Sequence, residues 1–558
     1  MERGKFLHRS RSHLHEYRHG ITKLFETRSN SPGQPDIISS AKPIEEETLP
    51  KYNPENFYPT RLGEVLNDTY KVVAKLGYGM TATVWLARNL KAGADDPRRF
   101  VTVKINVNTL TEEFFRGRRR LAERIASANP KHPGYTHVRF TIETFKIRSR
   151  SGKEHLCIVY DVMREPIDVC MSRWTERRFN GRRLRLLVKG LLQGLDYLHS
   201  ECHIVHTDLK PDNIMMGLGN PAVLDRFAQH EQDHPAPRKA PDSHGRVIYK
   251  SCSDFGGTPD IEEMIATAKI IDLGLAELGD EKHNHAIQSN AFTAPEVLLA
   301  AGWSYPADIW NFGVMLWDLT ESMGLFDAID TRPGKYSSAQ HLGLMIALMG
   351  PPPKELLERG STTSTYFDEH GEFRKPQYIQ RDQTFEHSIT SMRGEEKALF
   401  IDFAKKMICW LPEERWTAKQ LLQHPFLTKE TVDCREYEDE AKDSLRLVEA
   451  FATNKKTGST PIAGSPYRTP QSTTPVSTSP QPSPEPSIKG FSLSNRAHTI
   501  AHSPMDNITS APSPTVPRTS MPATNELKMT RSRKSINTSN IQSQDLIDHI
   551  LGGHKGGS

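Results

Sequence analysis

A chain of 558 residues with 36% hydrophobic and 25% charged side chains can build a sizeable core but is too long for one compact domain without tails. Its formal charge of +4 is small for that length and excludes a global preference for nucleic acid or an anionic membrane. No apolar run approaches the roughly 18 residues that span a bilayer. The six cysteines, Cys157, Cys170, Cys202, Cys252, Cys409 and Cys434, show no CxxC or framework spacing and read as reduced thiols.

In chain order, residues 1–47 are polar and end in "SPGQPD" and "AKPIEEE", an expected disordered lead-in. The first 30 carry seven Lys/Arg, four His and three Glu. Three acids disfavour a mitochondrial transit peptide, no apolar stretch marks a secretory signal, and a solvated basic tail is the favoured reading. From 48 to 428, apolar periodic stretches alternate with turn signals, as a globular domain requires. "YKVVAKLGYGMTATVWLARN" and "RFVTVKINVN" alternate as β-strands around a glycine turn. Leu184, Leu187, Val188, Leu191, Leu192, Leu195 and Leu198 fall at helical spacing and predict one long amphipathic helix. Helical patterns follow around "DIWNFGVMLWDLTESM", "SAQHLGLMIALMG" and "KALFIDFAKKMICW". Strands first and helices afterwards predict an α+β, bilobal architecture, with a β-rich lobe at about 70–160 and a helical lobe at about 161–428. The tail, 429–558, turns Ser/Thr/Pro-rich and is expected to be mostly disordered.

The polar loop "HIVHTDLKPDNIMM" (203–216) carries the strongest chemical signal. Asp208, Lys210 and Asn213 stand at the spacing of a phosphoryl-transfer loop: Asp208 to accept a hydroxyl proton, Lys210 to steady the transferred group and Asn213 to hold magnesium. An exposed polar turn would explain the charge but not the spacing. "GYGMTATV" (77–84) resembles a phosphate-covering loop in which Gly77 and Gly79 allow close backbone approach, with Ala82 in the third glycine position. Lys104 follows Gly77 by 27 residues in a strand suited to placing a cation on phosphates. Asp272 in "KIIDLGLAE" offers a second magnesium carboxylate before a glycine turn, and "TAPE" supplies Ala294, Pro295 and Glu296. Each string is weak alone, but five in this order point to a protein kinase.

Longer stretches sharpen the resemblance. "LPKYNPENFYPTRLGEVLNDTYKVVAKLGYG", "DYLHSECHIVHTDLKPDNIM", "WSYPADIWNFGVMLWDL", "LMIALMGPPPKELLERG" and "EERWTAKQLLQHPFL" resemble the SR-protein kinases, especially SR-kinase-like proteins of fungi, over residues 48–428. The resemblance implies ATP with Mg2+ and phosphate transfer to Ser or Thr of proteins, Arg/Ser-rich ones among them. It implies nucleotide contacts from Gly77, Gly79, Val84 and Lys104, a gatekeeper at Tyr160, and hinge backbone at Asp161 and Met163. It also implies that Asp308 braces the catalytic loop and that Glu296 pairs with Arg415. A monomer, cytoplasmic and/or nuclear, without direct nucleic-acid or membrane partners, is expected.

Thr207, within the HTDLKPDN stretch that carries the resemblance, stands where many other kinases have an Arg that gathers an activating phosphate. A segment with only Ser289 and Thr293 as hydroxyl residues is therefore expected to be ordered without phosphorylation, with Ser289 near Asp208 and Lys210. Arg118 falls where a helix normally supplies Glu to Lys104, with Glu123 as the nearest substitute. Leu273, Thr102 and Leu411 stand where Phe, Ala and Asp are usual. An insertion at about 217–266, within the 58 residues between Asn213 and Asp272, reads as a solvated loop; its His230, His234 and His244 lack metal-ligand spacing. Arg118 keeps a pseudokinase scaffold as the competing expectation, while "TAPE" and Arg415 disfavour a small-molecule phosphotransferase.

Overall fold

The computed structural model describes residues 33–429, apart from 173, 175–176, 180, 257–260, 322, 327, 331–334 and 381. The basic segment 1–32 and the Ser/Thr/Pro-rich tail, with the expectations attached to them, lie outside the described residues.

After a short strand β1 (Ile37–Ile38), the strands β2 (Val65–Leu66), β3 (Tyr70–Gly79), β4 (Ala82–Asn89), β5 (Phe100–Asn106), β6 (Thr141–Arg148) and β7 (Glu154–Tyr160) follow. β2 to β7 form one antiparallel sheet in the order β2-β3-β4-β5-β7-β6. The two-residue period of β5 divides its side chains. Val101, Val103 and Ile105 join Leu66, Tyr70, Val72, Trp85, Cys157 and Val159 in a core, and Thr102 and Lys104 point the other way, into a cleft. Lys104 sits opposite Val84 on one side and Ile158 on the other.

Helix α1 (Glu112–Ser127) starts at Thr111, whose hydroxyl accepts from the Phe114 amide at 3.2 Å, with Glu112 and Glu113 favourably placed in its first turn. The leucine-rich pattern becomes α2 (Gly181–Asp196), extended by a π-type turn, Tyr197–Glu201. Beyond it, β8 (Ile204–Val205) and β9 (Ile214–Met215) bracket the polar loop, α3 (Val223–Asp233) belongs to the insertion, and α4 (Pro306–Thr320), α5 (Ser338–Met349) and α6 (Gly394–Lys405) complete the helical part. α4 is mostly apolar because it is surrounded: Trp310, Phe312 and Trp317 are at most 1% exposed and share one core with α2, α5 and α6. Gly134, in the turn Pro133–His137, lies so close to α2 that a Cβ would collide with the Gln193 carbonyl. Gly134→Ala is expected to destabilise by about 1–3 kcal/mol, since backbone cannot yield cheaply; thermal unfolding measures this.

Two expectations are corrected. The insertion is not a solvated loop. α3 presses Val223, Leu224 and Phe227, together with Cys252 and Phe255, against Ala74, Leu86, Phe100 and Val162, and Tyr249 meets Trp85 edge-on at 5.8 Å between ring centres. The lead-in is ordered from residue 33. β1 pairs in parallel with β10 (Arg238–Lys239) of the insertion, and Lys239 pairs with Glu47 at 2.6 Å. Lys75, 1% exposed, pairs with Glu46 and lies 3.6 Å from Glu45. These acids have a structural reason to be there: a buried ammonium needs carboxylate partners. Among the described residues, no group of three or more His, Cys, Asp or Glu is gathered as a metal would need, and no helix is long and apolar enough to cross a membrane.

Candidate active site

Two short antiparallel ladders assemble the site. β11 (Lys269–Ile270) pairs with β9, and β12 (Glu277–Leu278) pairs with β8. They set the loop 206–213 beside the turn 271–276, joined by the Ile271 amide donating to the Asn213 carbonyl at 2.9 Å. Asp308, in the first turn of α4 and fully buried, accepts from the amides of His206 at 2.7 Å and Thr207 at 2.8 Å and lies 2.9 Å from His199 Nε2. Two of these contacts hold the loop, and the third ties the same carboxylate to the π-type turn after α2.

Thr207 adopts φ 72°, a left-handed conformation that β-branched residues resist. Its hydroxyl donates to the Leu275 carbonyl at 2.9 Å, so a neutral side chain ties loop to turn where many kinases use an Arg–phosphate contact. Thr207→Val keeps the shape and leaves that carbonyl without its donor. About 1–3 kcal/mol of stability is expected to be lost, read from chemical denaturation midpoints.

Asp208 lies at the centre. Its Oδ2 accepts from Lys210 Nζ at 2.7 Å and from Asn213 Nδ2 at 3.2 Å, and its Oδ1 accepts from Ser289 Oγ at 2.7 Å. Lys210 Nζ also donates to Ser289 Oγ at 2.8 Å, which places Ser289 beside both residues. Asn213 Nδ2 further donates to the Asp208 carbonyl at 2.8 Å. Across the cleft, Lys104 Nζ is 3.6 Å from Asp272 Oδ1. The Asp272 carboxylate raises the ammonium above its usual range, and Lys104 holds the Asp272 carboxyl below the usual carboxylate range.

Gly77, Gly79, Val84, Lys104, Met163, Asp208, Lys210, Asn213 and Asp272 line one cleft of about 780 Å³. Asp161 does not line it. Its carbonyl accepts from Arg139 Nη2 at 2.6 Å and its carboxylate from Arg98 Nε at 3.3 Å, leaving the carbonyl one further lone pair. Arg139 also covers Tyr160, 4.7 Å above the ring, and burial pushes its guanidinium down to about 10. No sequence signal marked Arg139, because it sits in an irregular stretch before β6. Glu296 and Arg415, both at most 1% exposed as side chains, form a two-point pair at 2.7 Å each. Leu411, in place of an acid, packs partly buried on the helical core.

The helix expectation needs correcting. Glu123 is exposed and forms no pair with Lys104. Arg118 instead donates through Nη1 to the Leu273 carbonyl at 2.5 Å, just after Asp272.

A cleft between a small antiparallel sheet and a helical body, with two acids, two lysines and an asparagine converging in it, defines a class of phosphotransferase. The protein kinase domain family matches residues 70–226 and 260–427, and the chain belongs to the protein kinase family. A serine/threonine protein kinase of Aspergillus fumigatus (strain Af293) is 33% identical over 424 residues, covering 73% of this chain and 98% of that protein. The serine/threonine-protein kinase SRPK of Physarum polycephalum is 28% identical, covering 69% and 91%. The dual specificity protein kinase CLK1 of Mus musculus is 27% identical, covering 65% and 67%. Within the family, the chain is thus related to the SRPK and CLK kinases.

Proposed function

We propose that the protein transfers the γ-phosphoryl group of ATP, with Mg2+, to Ser or Thr hydroxyls of protein substrates. The observation that carries this is Asp208, held by Lys210, Asn213 and Ser289 in the same cleft as the Lys104–Asp272 pair. Asp208 accepts the proton of the attacking hydroxyl as the new P–O bond forms and the bond to the ADP oxygen breaks. Lys210 steadies the transferred group, and Lys104 takes the α and β phosphates.

The cleft's own groups suit a nucleotide. Thr102 Oγ1 is buried without a hydrogen-bond partner and lines the cleft, and a Cβ at Gly77 or Gly79 would meet nothing within 4 Å, which leaves backbone open to phosphates. Asp272 and Asn213 present the hard oxygen donors magnesium takes. Bound with ATP, the metal would neutralise charge that develops on the phosphates.

The resemblance of the quoted stretches to SR-protein kinases leads us to propose Arg/Ser-rich proteins as the substrate class, for a monomeric kinase of the cytoplasm or nucleus. The lack of an acid on α1 opposite Lys104 favours one competing reading, a nucleotide-binding scaffold without transfer. Incubation with labelled ATP and magnesium, an Arg-Ser-rich peptide and a generic basic protein, beside an Asp208→Ala control, separates the two. Transfer lost in the control establishes the kinase; no transfer above control on any acceptor favours the scaffold.

A further inference from the structure

Arg118 lies on α1 where an acid for Lys104 was expected, yet it does not confront the lysine. Lys104 has Asp272 as its partner at 3.6 Å. Arg118 reaches past them to the Leu273 carbonyl at 2.5 Å, with its guanidinium 4.8 Å above the ring of Phe114, one turn earlier on the same helix. Burial lowers the Arg118 guanidinium from its ordinary value, and the nearby carboxylates of Glu277 and Asp272 oppose that shift; an arginine stays charged all the same. The Leu273 carbonyl also accepts from the Ala276 amide at 3.3 Å, so both its lone pairs are used. The residue before it, Asp272, has φ 59° and ψ 58°, a left-handed conformation that a non-glycine residue keeps only when its surroundings hold it.

We propose that Arg118 is a positioning residue that fastens α1 to the turn after Asp272 and keeps Asp272 directed at Lys104 and the cleft. In this arrangement a cation-to-carbonyl hydrogen bond does the coupling that a lysine–acid pair does in other kinases. Helix and turn are then joined through Leu273, and Lys104 needs no acid from the helix. The proposal rests on the kinase reading above for its consequence in catalysis, but its structural part stands separately.

The side-chain chemistry makes the test sharp. Lysine can still donate to a carbonyl, alanine cannot, and glutamate sets an acceptor against an acceptor with Asp272 and Glu277 nearby. R118A is expected to lower kcat about ten- to hundredfold, with KM for ATP moving less than about threefold. R118K is expected to recover most of the lost kcat, and R118E, which restores the usual acid, is expected to be as impaired as R118A. Hydrogen exchange of peptides covering 270–278 and 112–127 is expected to quicken in R118A and R118E but not in R118K, in full-length protein of unchanged thermal midpoint or corrected for the shift. Activity of R118E equal to or above the parent, or unchanged exchange in R118A, overturns the proposal. An inactive parent protein whose exchange still responds to R118A would instead overturn the kinase reading and leave the anchoring intact.

Discussion

Replacing Asp208 by Asn is expected to lower kcat about 10²- to 10⁴-fold, the range a positioned base contributes, while KM for ATP changes little. Asn preserves the size of the side chain, and its one carbonyl oxygen can still accept from Lys210 or from Ser289, which bond different Asp208 oxygens at 2.7 Å each. What it removes is the capacity to take a proton from the attacking hydroxyl. Because Asp208 contributes nothing to the phosphate contacts assigned to Lys104 and the glycine turn, nucleotide binding is expected to persist. Steady-state kinetics with a peptide acceptor, together with a nucleotide-binding titration, separate the two effects. A kcat within tenfold of the parent would show that the base lies elsewhere.

Replacing Arg415 by Met is expected to cost about 3–5 kcal/mol of stability, because it leaves the Glu296 carboxylate buried without its charge partner. The pair is almost completely shielded from water, at 0% and 1% side-chain exposure. Arg415 also donates to the Pro306 carbonyl at 2.9 Å and the Cys409 carbonyl at 3.3 Å, and its guanidinium lies 5.1 Å from the Trp310 ring centre. One side chain thus joins the start of α4, the segment before it and the stretch after α6. Denaturant unfolding of Arg415→Met, Glu296→Met and the double variant checks the argument. The double variant is expected to be more stable than either single one, since no uncompensated charge remains; equal losses in all three would place the energy in packing instead.

The cluster proposed for catalysis was legible as a spatial cluster because its members lie close in sequence at fixed spacing. Asp208, Lys210 and Asn213 span six residues, and their mutual distances follow from one loop. Asp308 and the Glu296–Arg415 pair were legible only through the family resemblance, since their partners lie about a hundred residues away. The direction of Arg118 was not legible: helical periodicity places a side chain on a face but does not say whether a long arginine stops at Lys104 or extends to Leu273. The insertion misled for a compositional reason. Its buried Val223, Phe227, Tyr249 and Phe255 are scattered among His, Pro and charged residues, so the stretch looked solvated, although Val223, Leu224 and Phe227 do carry helical spacing. The lead-in misled similarly, since "EEE" reads as a solvated run until Lys75 is found beneath it.

The ordering of residues 33–66 bears on where the functional unit begins. The family match starts at residue 70, but Leu49 and Phe57 form a cluster with Val107 and Leu110, flanked by Tyr78 of the glycine turn and Phe114 and Phe115 of α1. A chain shortened to the family boundary would strip this cover, leave Lys75 without Glu46, and bare the strip on which the glycine turn and α1 both rest. Such a fragment would retain every residue assigned to chemistry while losing the footing of the two elements that aim them. Loss of activity on trimming would therefore be no argument against the catalytic assignments.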